Sequence, residues 1–163
     1  MRALLMLTLL VNLAAASLFA ADKYDGPRPP QADQLYLVHA DNLVATESVE
    51  AKEESGKKDE TVYSVSGAAS SAKTPIAEPI FLLKSDKLSP DKLELYKMDV
   101  KNGRREIAIG KGKRSSRGPR PLRLSVTKLE GGLYRLEASQ PLDNGQYSVS
   151  PSDSNKVFCF EVY

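Results

Sequence analysis

"PLRLSVTKLEGGLYRLEA", Pro121 to Ala138, decides the fold class. Leu122, Leu124 and Val126 alternate with Arg123, Ser125 and Thr127. Side chains on a strand point to opposite faces in turn, so this alternation gives one apolar and one wet face. Gly131-Gly132 turns the chain, and Tyr134, Leu136 and Ala138 then alternate with Arg135 and Glu137. Two alternating runs on either side of a glycine pair read as an antiparallel hairpin.

Working outward, the same signals recur. Leu93–Met98 and Ile107–Ile109 flank Asn102-Gly103. Asn-Gly suits the tight hairpin turn in which both central residues take positive φ. The apolar parity changes between Leu95 and Tyr96, which suggests a β-bulge. Further short extended runs are Leu35–Val38, Thr61–Val65, Ile80–Leu83, Tyr147–Val149 and Phe158–Val162. Past the first 20 residues no segment carries a 3.6-residue apolar stripe over three turns. About eight short strands with Gly, Pro and Asn turns predict an all-β, antiparallel β-sandwich or barrel.

"DNGQYSV", Asp143 to Val149, has the form Asp-x-Gly-x-Tyr-x-Val. It resembles the corner that opens the penultimate strand of immunoglobulin-like β-sandwiches. The resemblance implies that the Tyr147 hydroxyl bonds back to the backbone, that Asp143 and Gly145 shape the corner, and that Val149 enters the core. It covers roughly the last 45 residues. The chain has no tryptophan and a single cysteine, which excludes an antibody-type domain. A plain turn with Asn144-Gly145 at its tip is the other reading, and both give antiparallel β.

The N-terminus supplies an address. Arg2 precedes an apolar run from Ala3 to Val11, and small residues follow at Ala14 to Ser17 and at Ala20-Ala21. A positive start, a short apolar stretch and a small-residue exit predict a signal peptide over residues 1–20, cut within 16–21. The run is too short to span a bilayer, which takes about 20 residues, and no cysteine stands near the cut to carry a lipid. The expected localisation is secreted or periplasmic. Residues 21–33 read as an extended, proline-rich leader. Residues 34–163 read as one sandwich domain, with mobile loops near 47–60 and 110–121 because those segments lack large apolar side chains. Cys159 has no partner for an internal disulfide; it reads as a small buried hydrophobe or as a thiol for intermolecular pairing.

Charge is segregated. From Lys101 to Arg123 there are nine basic residues and one acid, whereas Asp41 to Glu60 holds seven acids and three lysines. Lys111, Lys113, Arg114, Arg117, Arg120 and Arg123 are therefore the candidate contact for an anion or a partner. Three roles stay open for this stretch: a solvated loop, an anionic surface or polysaccharide contact, and pairing with the acidic segment. Nucleic acid is not expected, because no aromatic residue lies between Lys101 and Arg123 to stack bases.

Catalytic patterns are missing. His39 is the only histidine, so a zinc site or a Ser-His-Asp triad has little to draw on, and neither a G-x-S-x-G elbow nor a Walker loop occurs. No metal or cofactor is expected. The function predicted is a non-catalytic binding or structural module of the envelope or secreted fraction, meeting an unidentified protein or an anionic surface. The alternative is a hydrolase whose carboxylates meet only in the fold. A strand-edge oligomer through Lys156–Val162 is a third expectation.

Overall fold

The structure, a computed structural model, describes residues 23–57, 60–110 and 119–163. The expected signal peptide lies outside the described residues, as do Lys111, Lys113, Arg114 and Arg117. Thirteen strands form an all-β fold: β1 (Leu35–His39), β2 (Asn42–Ala45), β3 (Glu47–Glu50), β4 (Lys52–Ser55), β5 (Glu60–Ser66), β6 (Lys73–Thr74), β7 (Ile80–Lys84), β8 (Leu93–Lys101), β9 (Arg104–Gly110), β10 (Leu124–Glu130), β11 (Leu133–Ala138), β12 (Gly145–Pro151) and β13 (Lys156–Val162). Among the described residues no helix is long and apolar enough to cross a membrane.

The strands form two sheets. The smaller has the order β10-β11-β7-β1-β2 and is antiparallel throughout. The larger runs β3-β13-β12-β8-β9-β5-β4, with β6 added in parallel beside β13. Leu35, Leu37, Phe81, Leu83 and Leu136 of the smaller sheet share a core with Leu95, Tyr147, Val149, Phe158 and Phe160 of the larger. Phe81 meets Phe160 edge-on at 5.1 Å between ring centres, and Tyr147 stacks on Phe160 at 5.5 Å. Both geometries suit the negative face and positive edge of an aromatic ring.

The larger sheet is not a flat second layer. Its two terminal strands, β3 and β4, are consecutive in the chain and separated only by Ala51. One stretch, Glu47–Ser55, thus pairs at its start with β13 and at its end with β5. The sheet must curl to allow this, and it forms a half-barrel. The curl wraps a second apolar cluster of Ala51, Val65, Met98, Val157 and Cys159, against which Val49 and Tyr63 pack.

This second interior corrects several sequence expectations. Residues 47–55 are strands, although their composition suggests a loop; they are held by backbone pairing on the barrel wall and have few large side chains to bury. The described residues hold thirteen strands where about eight were predicted; β2, β3, β4 and β6 match none of the predicted runs, being too short or too polar to show alternation. No bulge interrupts β8 between Leu95 and Tyr96, which pair in register with Val149 and Ser148. The parity change arises because both faces of β8 are buried: Leu95 faces the inter-sheet core, and Tyr96 and Met98 face the half-barrel. The terminal strand β13 is internal, bonded to β12 on one side and to β3 and β6 on the other, so it offers no free edge. The Asn-Gly hairpin is as expected, with φ of 51° at Asn102 and 73° at Gly103 joining β8 to β9.

Candidate functional site

The half-barrel has two ends of different chemistry. Inward positions follow from strand parity. On β9 they are Arg105, Ile107 and Ile109; opposite them on β5 stand Val65, Tyr63 and Thr61. On β3 they are Glu47 and Val49, facing Cys159 and Val157 of β13.

At one end a cavity of about 220 Å³ opens. Its apolar wall comes from Ala51, Tyr63, Met98, Ile107, Ile109 and Val157. Its polar side comes from Glu94, Tyr96, Ser148 and Ser150, and the β12–β13 turn adds Ser152, Ser154 and Asn155 at the mouth. The Tyr96 hydroxyl donates to Glu94 Oε2 at 2.7 Å. Burial and this carboxylate together push the Tyr96 phenol well above its ordinary range, so it stays a neutral donor. No Lys, Arg or His lines this cavity among the described residues. Lys92, near the mouth, is engaged by Asp153 at 3.3 Å.

At the other end a buried ion pair seals the interior. Arg105 is 1% exposed. Its Nη1 and Nη2 donate to Glu47 Oε2 and Oε1 at 2.7 and 2.8 Å, and its Nε and Nη2 also donate to the Gly67 and Ser66 carbonyls. This is the two-pronged geometry that suits a guanidinium and a carboxylate. The Arg105 bonds hold the Glu47 carboxyl below its usual value, against the opposing effect of partial burial. Beside the pair, Ser70 Oγ donates to the Cys159 carbonyl, and the Ser70 amide donates to Gln146 Oε1. Cys159 is fully buried, and desolvation pushes its thiol up to about 12.

The basic stretch is divided by the structure. Arg105 is internal, Arg104 bridges Glu54 and Glu106, and Lys101 bridges Asp99 and Glu106. Pairing between the basic and acidic segments therefore accounts for Arg104 and Arg105, through Glu54 and Glu47, whereas Lys101 pairs with acids of its own hairpin. Arg120 and Arg123 are exposed at the entry to β10, where Leu122 bridges backbone-to-backbone to Leu95. At the Asp143–Tyr147 turn, the Tyr147 hydroxyl donates to the Asp143 carbonyl at 2.8 Å, while Lys97 lies 3.5 Å from the Asp143 carboxylate. Gly145 has φ of 157°, and a Cβ there would sit 3.2 Å from the Lys97 side chain.

A second hollow, of about 240 Å³, holds Glu60, Asp99 and Glu106 with Lys97. Two of those acids are committed to Lys101 and Arg104. His39 ends β1, opposite Asn42, and no group of three His, Cys, Asp or Glu converges to hold a metal among the described residues.

The sequence reading missed both ends of the half-barrel. The signal for the ion pair was present: Arg105 shares strand parity with Ile107 and Ile109, and Glu47 with Val49 and Ala51. A charge on the apolar side of a strand is a buried charge in search of a partner. Compared with known proteins, the chain matches no family model, no curated protein and no solved structure.

Proposed function

We propose that the chain is an exported, non-catalytic binding module, a β-sandwich of immunoglobulin-like kind whose second sheet has curled to hold a small ligand. The observation that carries the reading is the cavity at the open end of the half-barrel, with one apolar wall and convergent hydroxyls on the other. Binding sites are typically concave and mostly apolar, with a few placed polar groups. The sandwich part is supported by the core shared between the two sheets and by the backward hydrogen bond of Tyr147. Export is supported by Arg2, the apolar run and the small-residue exit. Among its described lining residues the cavity holds one carboxylate, Glu94.

The exposed Arg120 and Arg123 leave the basic stretch as a candidate outer contact for an anionic surface. Replacing Lys111, Lys113, Arg114 and Arg117 by Ser should abolish salt-sensitive retention on an anionic matrix.

The cavity reading is tested by ligand-detected NMR, screening small amphiphiles against the full mature chain. Saturation-transfer signals are expected, and Ser150→Phe, which fills the cavity from its polar side, should abolish them while circular dichroism stays unchanged. A screen without a binder, or binding that survives the plug, overturns the reading. N-terminal sequencing of the secreted product should begin at Ser17, Leu18 or Ala21.

A further inference from the structure

The cavity also carries information about ligand chemistry. It has one ionisable acid, Glu94, and no basic residue among its described lining. An anion entering here would meet a carboxylate and lose its hydration with no cation among the described lining to replace it. A cation meets the reverse. Glu94 spends one oxygen on the Tyr96 hydroxyl, and no other side-chain donor reaches that carboxylate among the described residues. Two tyrosines, Tyr63 and Tyr96, line the same cavity. The π faces of aromatic rings attract ammonium groups. Ser148 and Ser150 add hydroxyl oxygens able to accept from an N–H.

Size and the apolar side limit the rest of the molecule. An apolar cavity of about 150 Å³ accommodates benzene, so a cavity of about 220 Å³ admits one ring or a short alkyl chain with a small headgroup. Met98, Ile107, Ile109 and Val157 would cover that apolar body.

We infer that the half-barrel cavity takes a small organic cation, a primary amine on a single ring or a chain of about six carbons, with its ammonium on Glu94 and its apolar end against Met98 and Ile107. The inference rests on the binding-module reading and narrows it to one ligand class. Sugars and other neutral polyols are the competing occupants. They need paired donors and acceptors on every side, whereas the side formed by Ala51, Met98, Ile107, Ile109 and Val157 offers none.

The test is calorimetric titration of the full mature chain with hexylamine, 1-hexanol, hexanoate and glucose at one ionic strength. Hexylamine is expected to bind at least tenfold tighter than 1-hexanol, with hexanoate and glucose silent. Glu94→Gln should bring hexylamine down to the level of the alcohol while the alcohol's own affinity holds, which also reports that the variant is folded. Tyr96→Phe keeps the ring and removes the hydroxyl; hexylamine should still outbind the alcohol. If 1-hexanol binds as well as hexylamine, or Glu94→Gln leaves the ratio unchanged, the cation inference fails and the binding cavity stands. Glucose or hexanoate binding more tightly than hexylamine likewise overturns the cation inference alone. If none of the four binds, both fail.

Discussion

At the scale of single residues, the Arg105–Glu47 pair has a large energetic consequence. A guanidinium with almost no solvent contact is tolerable only because its donors meet Glu47 and two backbone carbonyls. Arg105→Ala removes the partner and leaves the Glu47 carboxylate partly buried. The expected cost is about 3–5 kcal/mol, a large fraction of the stability of a domain this size, and urea unfolding would measure it. The pair also fixes a pH dependence. Glu47 has a lowered folded-state pKa, relative to the ordinary value of 4.5. Its contribution is therefore fully present above that value and is lost as pH falls through the lower, folded one. The stability gap between the wild type and Glu47→Gln should be constant near pH 7 and shrink below about pH 4.5. A gap that ignores pH would show that the pair is not ionic. Cys159 behaves oppositely to a reactive thiol. Burial raises its pKa to about 12 and closes access, so a thiol-specific reagent should label it only at the rate of unfolding. Rapid labelling of the native chain, or a reducible dimer, would overturn this placement.

At the scale of elements, the legible parts of the chain were those with one wet face. β10 and β11 alternate as far as Lys128, where the register shifts before Glu130, and their Gly131-Gly132 turn falls where the sequence puts it, with Gly132 at φ of 73°. The β8–β9 hairpin was equally legible through Asn102-Gly103. At Gly103 a Cβ would meet nothing within 4 Å, so Gly103→Ala tests backbone strain without steric clash. It should cost about 1–2 kcal/mol in chemical denaturation, the penalty of a left-handed conformation for an L-residue, and a neutral result would mean that the turn has changed type. The illegible parts were strands with two buried faces or none. β8 buries Leu95 on one face and Tyr96 on the other, so its parity mimics a bulge. β3 and β4 close the curl with Glu, Ser and Lys side chains and a single apolar residue, Val49. Nothing in such a stretch shows from composition that its backbone will be captured by β13 and β5.

At the scale of the whole molecule, β8, β12 and β13 belong to two interiors at once. Strand parity alone decides which interior a residue serves: Leu95, Tyr147, Val149, Phe158 and Phe160 enter the inter-sheet core, and Met98, Ser148, Ser150, Val157 and Cys159 face the half-barrel. That explains why the cavity was invisible in the sequence. Ser148, Ser150 and Glu94 occupy the positions that an ordinary sandwich strand turns to water, and only the curl of the same sheet covers them. Sharing three central strands also links the fates of the two clusters. A lesion in either must strain the backbone that supports the other. Phe160→Ala, in the inter-sheet core, and Met98→Ala, in the half-barrel, should each destabilise by several kcal/mol, about 3–5 and 2–5 respectively. In both variants, far-UV dichroism and near-UV tyrosine signals should still report one coincident unfolding transition. If Met98→Ala melts the β5–β9 side early while Phe160 and its neighbours stay protected from hydrogen exchange, the half-barrel is a separate cooperative unit. Its cavity would then sit on a segment that opens on its own, and ligand affinity would fall with that opening rather than with global stability.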